Sequence, residues 1–155
     1  MANNDTLRSI QEALDIDNLE MIQIFRLSGR EIGESTLSAL LKADKEDGYI
    51  PCSDPILGFF LDGLIIHKRG RLDGSPAPTA KPVVPLTRNA IVKKLRIALD
   101  LKEDDMISIF KSGRAEISKN DLSALFRKEG NTHYKECSDQ IFRGFLKGLA
   151  LRCKR

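Results

Sequence analysis

Residues 4–70 lie over residues 89–155 at a constant shift of 85 with no gap, so the chain must adopt a form that one small unit can take twice. Ala13, Leu14 and Asp15 recur as Ala98, Leu99 and Asp100. Met21, Ile22, Ile24 and Phe25 recur as Met106, Ile107, Ile109 and Phe110. Towards the end of the unit, Leu37 and Leu40 pair with Leu122 and Leu125, Cys52 to Asp54 with Cys137 to Asp139, and Phe60, Gly63 and Leu64 with Phe145, Gly148 and Leu149. Positions kept in both copies are those the unit needs.

The spacing inside the unit is helical. Leu7, Ile10, Ala13 and Leu14 make one apolar face, repeated by Val92, Leu95, Ala98 and Leu99. A second helix is predicted to open at Asp17, with Glu20 three residues on as a capping box, and to stop at Ser28-Gly29. A third carries Leu37, Leu40 and Leu41, and its copy starts with the capping pattern Ser118-Lys-Asn-Asp121. The last helix has Ser53 or Ser138 as N-cap and Asp54 or Asp139 as the first-turn acid favoured by the helix dipole. Glycine within a helix costs about 1 kcal/mol relative to alanine. Gly63 and Gly148 therefore predict a close backbone approach by another helix. No alternating β-branched run competes, and the expected class is all-α, a tandem duplication of a four-helix unit. Residues 71–88 hold four of the six prolines, too many for a helix or a central strand, and read as a linker between repeat one (1–70) and repeat two (89–155).

Several pieces together carry a resemblance. They are Leu7-Arg-Ser-Ile-Gln-Glu-Ala-Leu-Asp, Met21-Ile-Gln-Ile-Phe, Cys52-Ser-Asp, Phe60-Leu-Asp-Gly-Leu-Ile and Lys68-Arg-Gly, with Tyr134-Lys-Glu-Cys-Ser-Asp-Gln and Phe145-Leu-Lys-Gly-Leu in the copy. In order and spacing they resemble the duplicated bacterial family of unknown function numbered 1456. The likeness covers almost everything outside the linker. It implies a small helical protein of the bacterial cytoplasm and brings no activity with it.

Charge divides the copies. Residues 4–70 hold 7 Lys+Arg against 12 Asp+Glu, and residues 89–155 hold 15 against 9, so repeat one is acidic and repeat two basic. The halves either attract each other or face different partners. The opening residues lack the charged and apolar regions of a signal peptide, and no stretch approaches the roughly 18 apolar residues of a membrane span. A cytoplasmic location without membrane contact is expected. Three cysteines, an odd number, favour reduced thiols.

No reaction centre stands out. Cys52 and Cys137 precede a helix N-terminus, which can lower a thiol pKa, but the two histidines, His67 and His133, do not occupy equivalent repeat positions and supply no symmetric base. A small buried residue is the simpler reading of both cysteines. For zinc, His133 and Cys137 give one ligand pair without a second. Arg26-Leu-Ser-Gly-Arg-Glu brings one carboxylate and two cations where a calcium loop needs several oxygens. The repeated acids Asp15/Asp100, Glu31/Glu116 and Asp54/Asp139 sit near helix ends, where capping explains them. Neither enzyme activity, a cofactor nor a metal is expected.

Surface chemistry is more informative. Arg143, Lys147 and Lys154 fall on the helix face opposite Ile141, Phe145 and Leu149, a cationic lane that Lys93, Lys94, Lys135, Arg152 and Arg155 could extend. The candidate interaction surface is thus Lys93, Lys94, Arg143, Lys147, Arg152 and Lys154. Duplicating a helical unit without a repeated catalytic group multiplies surface, which points to a protein-interaction module that binds a protein or itself. The alternative is a nucleic-acid-associated regulator whose lane neutralises phosphates in a salt-dependent way.

Overall fold

The computed structural model describes residues 2–70, 86–127 and 130–153. Among them all the regular structure is helical, with no strand: α1 (Asn3–Leu14), α2 (Asn18–Leu27), α3 (Glu34–Leu40), α4 (Asp54–Arg69), α5 (Arg88–Ala98), α6 (Glu103–Ser112), α7 (Lys119–Leu125) and α8 (Asp139–Cys153). The predicted caps hold α2, α4, α7 and α8 in place. The Glu20 amide donates to Asp17 Oδ1 at 2.8 Å, the Ile56 amide to Ser53 Oγ at 3.3 Å and the Ile141 amide to Ser138 Oγ at 3.2 Å. At α7 Ser118 and Asp121 make the full reciprocal box, whereas at α2 the Asp17 half is the one that forms. Asp15 and Asp100 follow the ends of α1 and α5 with φ of 53° and 51°, the left-handed conformation that a short acidic side chain tolerates.

Within each repeat the long helices pair tightly, α2 on α4 and α6 on α8. Gly63 and Gly148 are the reason. A Cβ on Gly63 would lie 1.9 Å from the Ile24 carbonyl oxygen, and one on Gly148 would lie 1.8 Å from that of Ile109. The backbone approach predicted from the two glycines is present in both copies. Beside it, Phe25 tilts against Phe60 with ring centroids 5.4 Å apart, and Phe110 against Phe145 at 5.2 Å.

The first helix of each repeat behaves differently. The most extensive packing of α1 is on α8, and that of α5 is on α4, so each repeat lends its opening helix to the other. A single apolar cluster results, holding Leu7 and Ile10 of α1 together with Leu146 and Leu149 of α8, and Leu61 and Leu64 of α4 together with Val92 and Leu95 of α5. The acidic and basic halves meet within one chain. Of the residues read as linker, 71–85 lie outside the described residues and 86–88 belong to the packing. Leu86 is buried and its amide donates to Asp54 Oδ2 at 3.0 Å, Thr87 caps α5, and Arg88 is the first residue of that helix.

Candidate functional site

A buried asparagine organises the start of each repeat, a role that sequence reasoning missed. Asn4 Nδ2 donates to the carbonyls of Leu40 and Ile50 at 2.8 Å each, and its Oδ1 accepts from the Cys52 amide at 2.8 Å. Asn89 does the same with Leu125, Lys135 and Cys137 at 2.9, 2.8 and 2.8 Å. Each asparagine ties an opening helix to the end of the third helix and to the loop before the fourth. The identity of Asn4 and Asn89 under the shift of 85 was the available signal.

The cysteines next to these clamps are buried. Burial pushes the Cys52 thiol up to about 12, with the Asp54 charge adding to it, and pushes Cys137 up to about 11 against the opposing pull of Arg88. Neither is poised as a thiolate at neutral pH, since desolvation outweighs the helix N-terminus. Asp54 holds the start of α1 and the segment leading into α5, accepting from Asn3 Nδ2 at 2.7 Å and from the Leu86 amide. Its copy Asp139 accepts from Arg143 Nε at 2.5 Å, which holds its carboxyl below the usual range. His67 lies 3.5 Å from Glu20, and Arg152 takes the equivalent place 3.0 Å from Asp105. Among the described residues, no three His, Cys, Asp or Glu side chains gather as a metal site.

The six cations of the expected surface are dispersed. Lys94 is not on an exposed lane: it points into the α4–α5 seam and pairs with Asp62 at 2.5 Å, with 22% and 12% of the two side chains exposed. Arg152 is held by Asp105, and Lys154 lies outside the described residues. Lys93 is exposed at a groove formed by α5 and the end of α7, away from the rest. Only Arg143 and Lys147 come together, on the α1–α8 seam, in a groove of about 280 Å³ completed by Ser9, Glu12, Leu146 and Ala150.

That groove is the counterpart of the Lys94–Asp62 contact. Under the shift of 85, Asp62 corresponds to Lys147 and Lys94 to Ser9. One seam is thus closed by an ion pair, while the other opposes Lys147 to a serine. Lys147 makes no ion pair among the described residues, and neither does Glu12 on the facing helix.

Two segments, residues 3–70 and 88–154, match the family model described as "Protein of unknown function (DUF1456)". The chain is also similar to "Uncharacterized protein YehS" of Escherichia coli (strain K12), 36% identical over 152 residues that cover 98% of this chain and 96% of that protein. No solved structure matches. No helix among the described residues is long and apolar enough to cross a membrane.

Proposed function

The chain belongs to the DUF1456 family of proteins of unknown function, and we propose that it is a non-enzymatic interaction module of the bacterial cytoplasm that engages a protein partner through its α1–α8 seam. The observation that carries this reading is Lys147, without an ion pair among the described residues and placed where the pseudo-equivalent seam closes on itself with Lys94 and Asp62. A partner segment that brings a carboxylate to Lys147 and a cation to Glu12 completes the seam in the same way. The wall of Leu146 and the half-buried Ala150 adds apolar contact, and charge complementarity sets the register. The inert buried thiols of Cys52 and Cys137 and the acids engaged at helix ends support a binding role over a catalytic one.

The test is retention of a protein from bacterial lysate by the full chain, compared with Lys147→Glu and with Ser9→Asp, alongside light scattering across concentration. A partner, or a second copy of the chain, should be retained by the wild type and lost from both variants. Retention unchanged by either substitution would refute the seam as the binding surface. Of the six cations, Lys94, Arg143 and Arg152 are already paired with Asp62, Asp139 and Asp105, which interrupts the continuous lane that favours the nucleic-acid alternative.

A further inference from the structure

We propose that the groove between the start of α5 and the end of α7 binds a nucleoside monophosphate, with the phosphate held between Lys93 and Arg127. The corresponding place in repeat one has related residues with different contents. Arg8 and Lys93 are equivalent, as are Lys42 and Arg127, Tyr49 and Tyr134, and Asn4 and Asn89. Two cations, a tyrosine and the clamping asparagine are therefore common to both. The acids differ more: Asp44 is kept as Glu129, which lies outside the described residues, but Asp5 becomes Ala90, Glu46 becomes Asn131 and Asp47 becomes Thr132.

In repeat one this place contains its own anion, Asp5. Arg8 donates to Asp5 Oδ1 at 2.5 Å and to the Leu41 carbonyl at 2.8 Å, and Lys42 Nζ donates to the Asp47 carbonyl at 2.6 Å. In repeat two, Lys93 and Arg127 are exposed and make no side-chain hydrogen bond or ion pair among the described residues. The space next to them is about 390 Å³, within the range of about 300–1,000 Å³ typical of small-molecule sites. Its floor is rigid, since Asn89 is fixed by three hydrogen bonds. A carboxylate offers one negative charge and suits one cation, as Asp5 suits Arg8, whereas a phosphate monoester carries about −1.5 to −2 and suits two. Tyr134 and Phe126 line the same groove, and the Arg96 guanidinium lies 4.9 Å from the centre of the Phe126 ring. They give the nucleoside an aromatic wall under positive potential.

This inference is independent of the seam and its partner. Calorimetric titration of the full chain with adenosine 5′-monophosphate tests it, with inorganic phosphate, adenosine and a single-stranded RNA hexamer without terminal phosphate as separate arms. The monophosphate should bind saturably, at least tenfold more tightly than phosphate or adenosine. Ala90→Asp restores the carboxylate of repeat one and should weaken binding at least tenfold. It should not lower the melting temperature, because Thr87 at the N-cap and an acid three residues on complete the box seen at Ser118 and Asp121. Lys93→Gln and Arg127→Gln should each weaken binding without touching the capped helix start. Absence of saturable binding, equal binding by Ala90→Asp, or phosphate binding as tightly as the monophosphate would overturn the assignment. Tighter binding of the hexamer than of the monophosphate would overturn it too, in favour of a single strand.

Discussion

Repeat one and repeat two differ least where they are buried and most where they meet solvent or each other. The asparagine clamps and the glycine contacts superpose in kind and in distance, to within about 0.1 Å for the close approaches at Gly63 and Gly148. The ends of the paired helices already diverge. Ser28 Oγ donates to the Phe59 carbonyl at 2.7 Å, but at the equivalent place a Cβ on Gly113 would lie 1.7 Å from the Gly144 carbonyl oxygen. The α6–α8 pair thus closes further than the α2–α4 pair, where a hydroxyl fills the space. At the surface the copies part further, Arg8 facing Asp5 where Lys93 has Ala90 in its place. Close packing constrains both copies alike, because a change of one methyl group there is felt, while an exposed side chain is free to vary.

The largest expected effect breaks the comparison at its tightest point. Gly63→Ala and Gly148→Ala should each destabilise the protein by about 3 kcal/mol or more, since a backbone carbonyl cannot move aside for a Cβ. Denaturant titration should find the two equal. Gly113→Ala should cost similarly, but Ser28→Ala only about 1 kcal/mol for the lost hydroxyl bonds. Equal losses at Ser28 and Gly113 would remove the difference between the helix pairs. Asn4→Ala and Asn89→Ala come next, at about 1–3 kcal/mol each, because truncation strands a buried amide and two carbonyls. A loss confined to one copy would show that the clamps are not equivalent.

The two seams supply a smaller contrast. Asp62→Ala should cost about 1–2 kcal/mol by leaving Lys94 partly buried without its partner, a value between those of exposed and buried pairs. Ser9→Asp, which gives Lys147 the acid it lacks, should stabilise by up to about 1 kcal/mol. If the second change is neutral and the first costly, the seams differ in more than one charge pair.

The last contrast is absent at neutral pH and concerns the thiols. The folded pKa values of Cys52 and Cys137 lie above the ordinary thiol value, so their contribution is complete below about pH 8.5. Above that pH the unfolded thiols release protons while the folded ones keep them until about 11 or 12, and stability falls. Cys52→Ala and Cys137→Ala should flatten the loss of stability between pH 9 and 11, Cys52→Ala the more. Alkylation of the native chain at pH 8 should modify exposed Cys153 well before either buried thiol.

The helices, their caps and the paired glycines were legible in sequence because they are local or are written twice. Ser53 and Ser138 name their helix starts by hydrogen-bonding chemistry that acts over three residues. Gly63 and Gly148 betray a neighbour because helical glycine is costly without one. The candidate surface was less legible. A helical wheel places Arg143 and Lys147 correctly on one face, but it cannot tell that Lys94 turns towards Asp62, since those residues are 32 apart and belong to different repeats. Comparing the copies for lost acids as well as kept cations would have pointed from Asp5 and Ala90 to the groove of Lys93 and Arg127.

The sequence by itself determined the helical class, the duplication, the buried apolar faces and the opposite charge of the halves, because each of these depends on short-range periodicity or on simple counting. Only the tertiary structure decided that α1 packs on α8 and α5 on α4, and therefore that the two copies share one core. An apolar helix face records that it must be covered and not by what. Burial is non-directional, and the partner is chosen by shape, close approach and the few ion pairs that three-dimensional packing brings together.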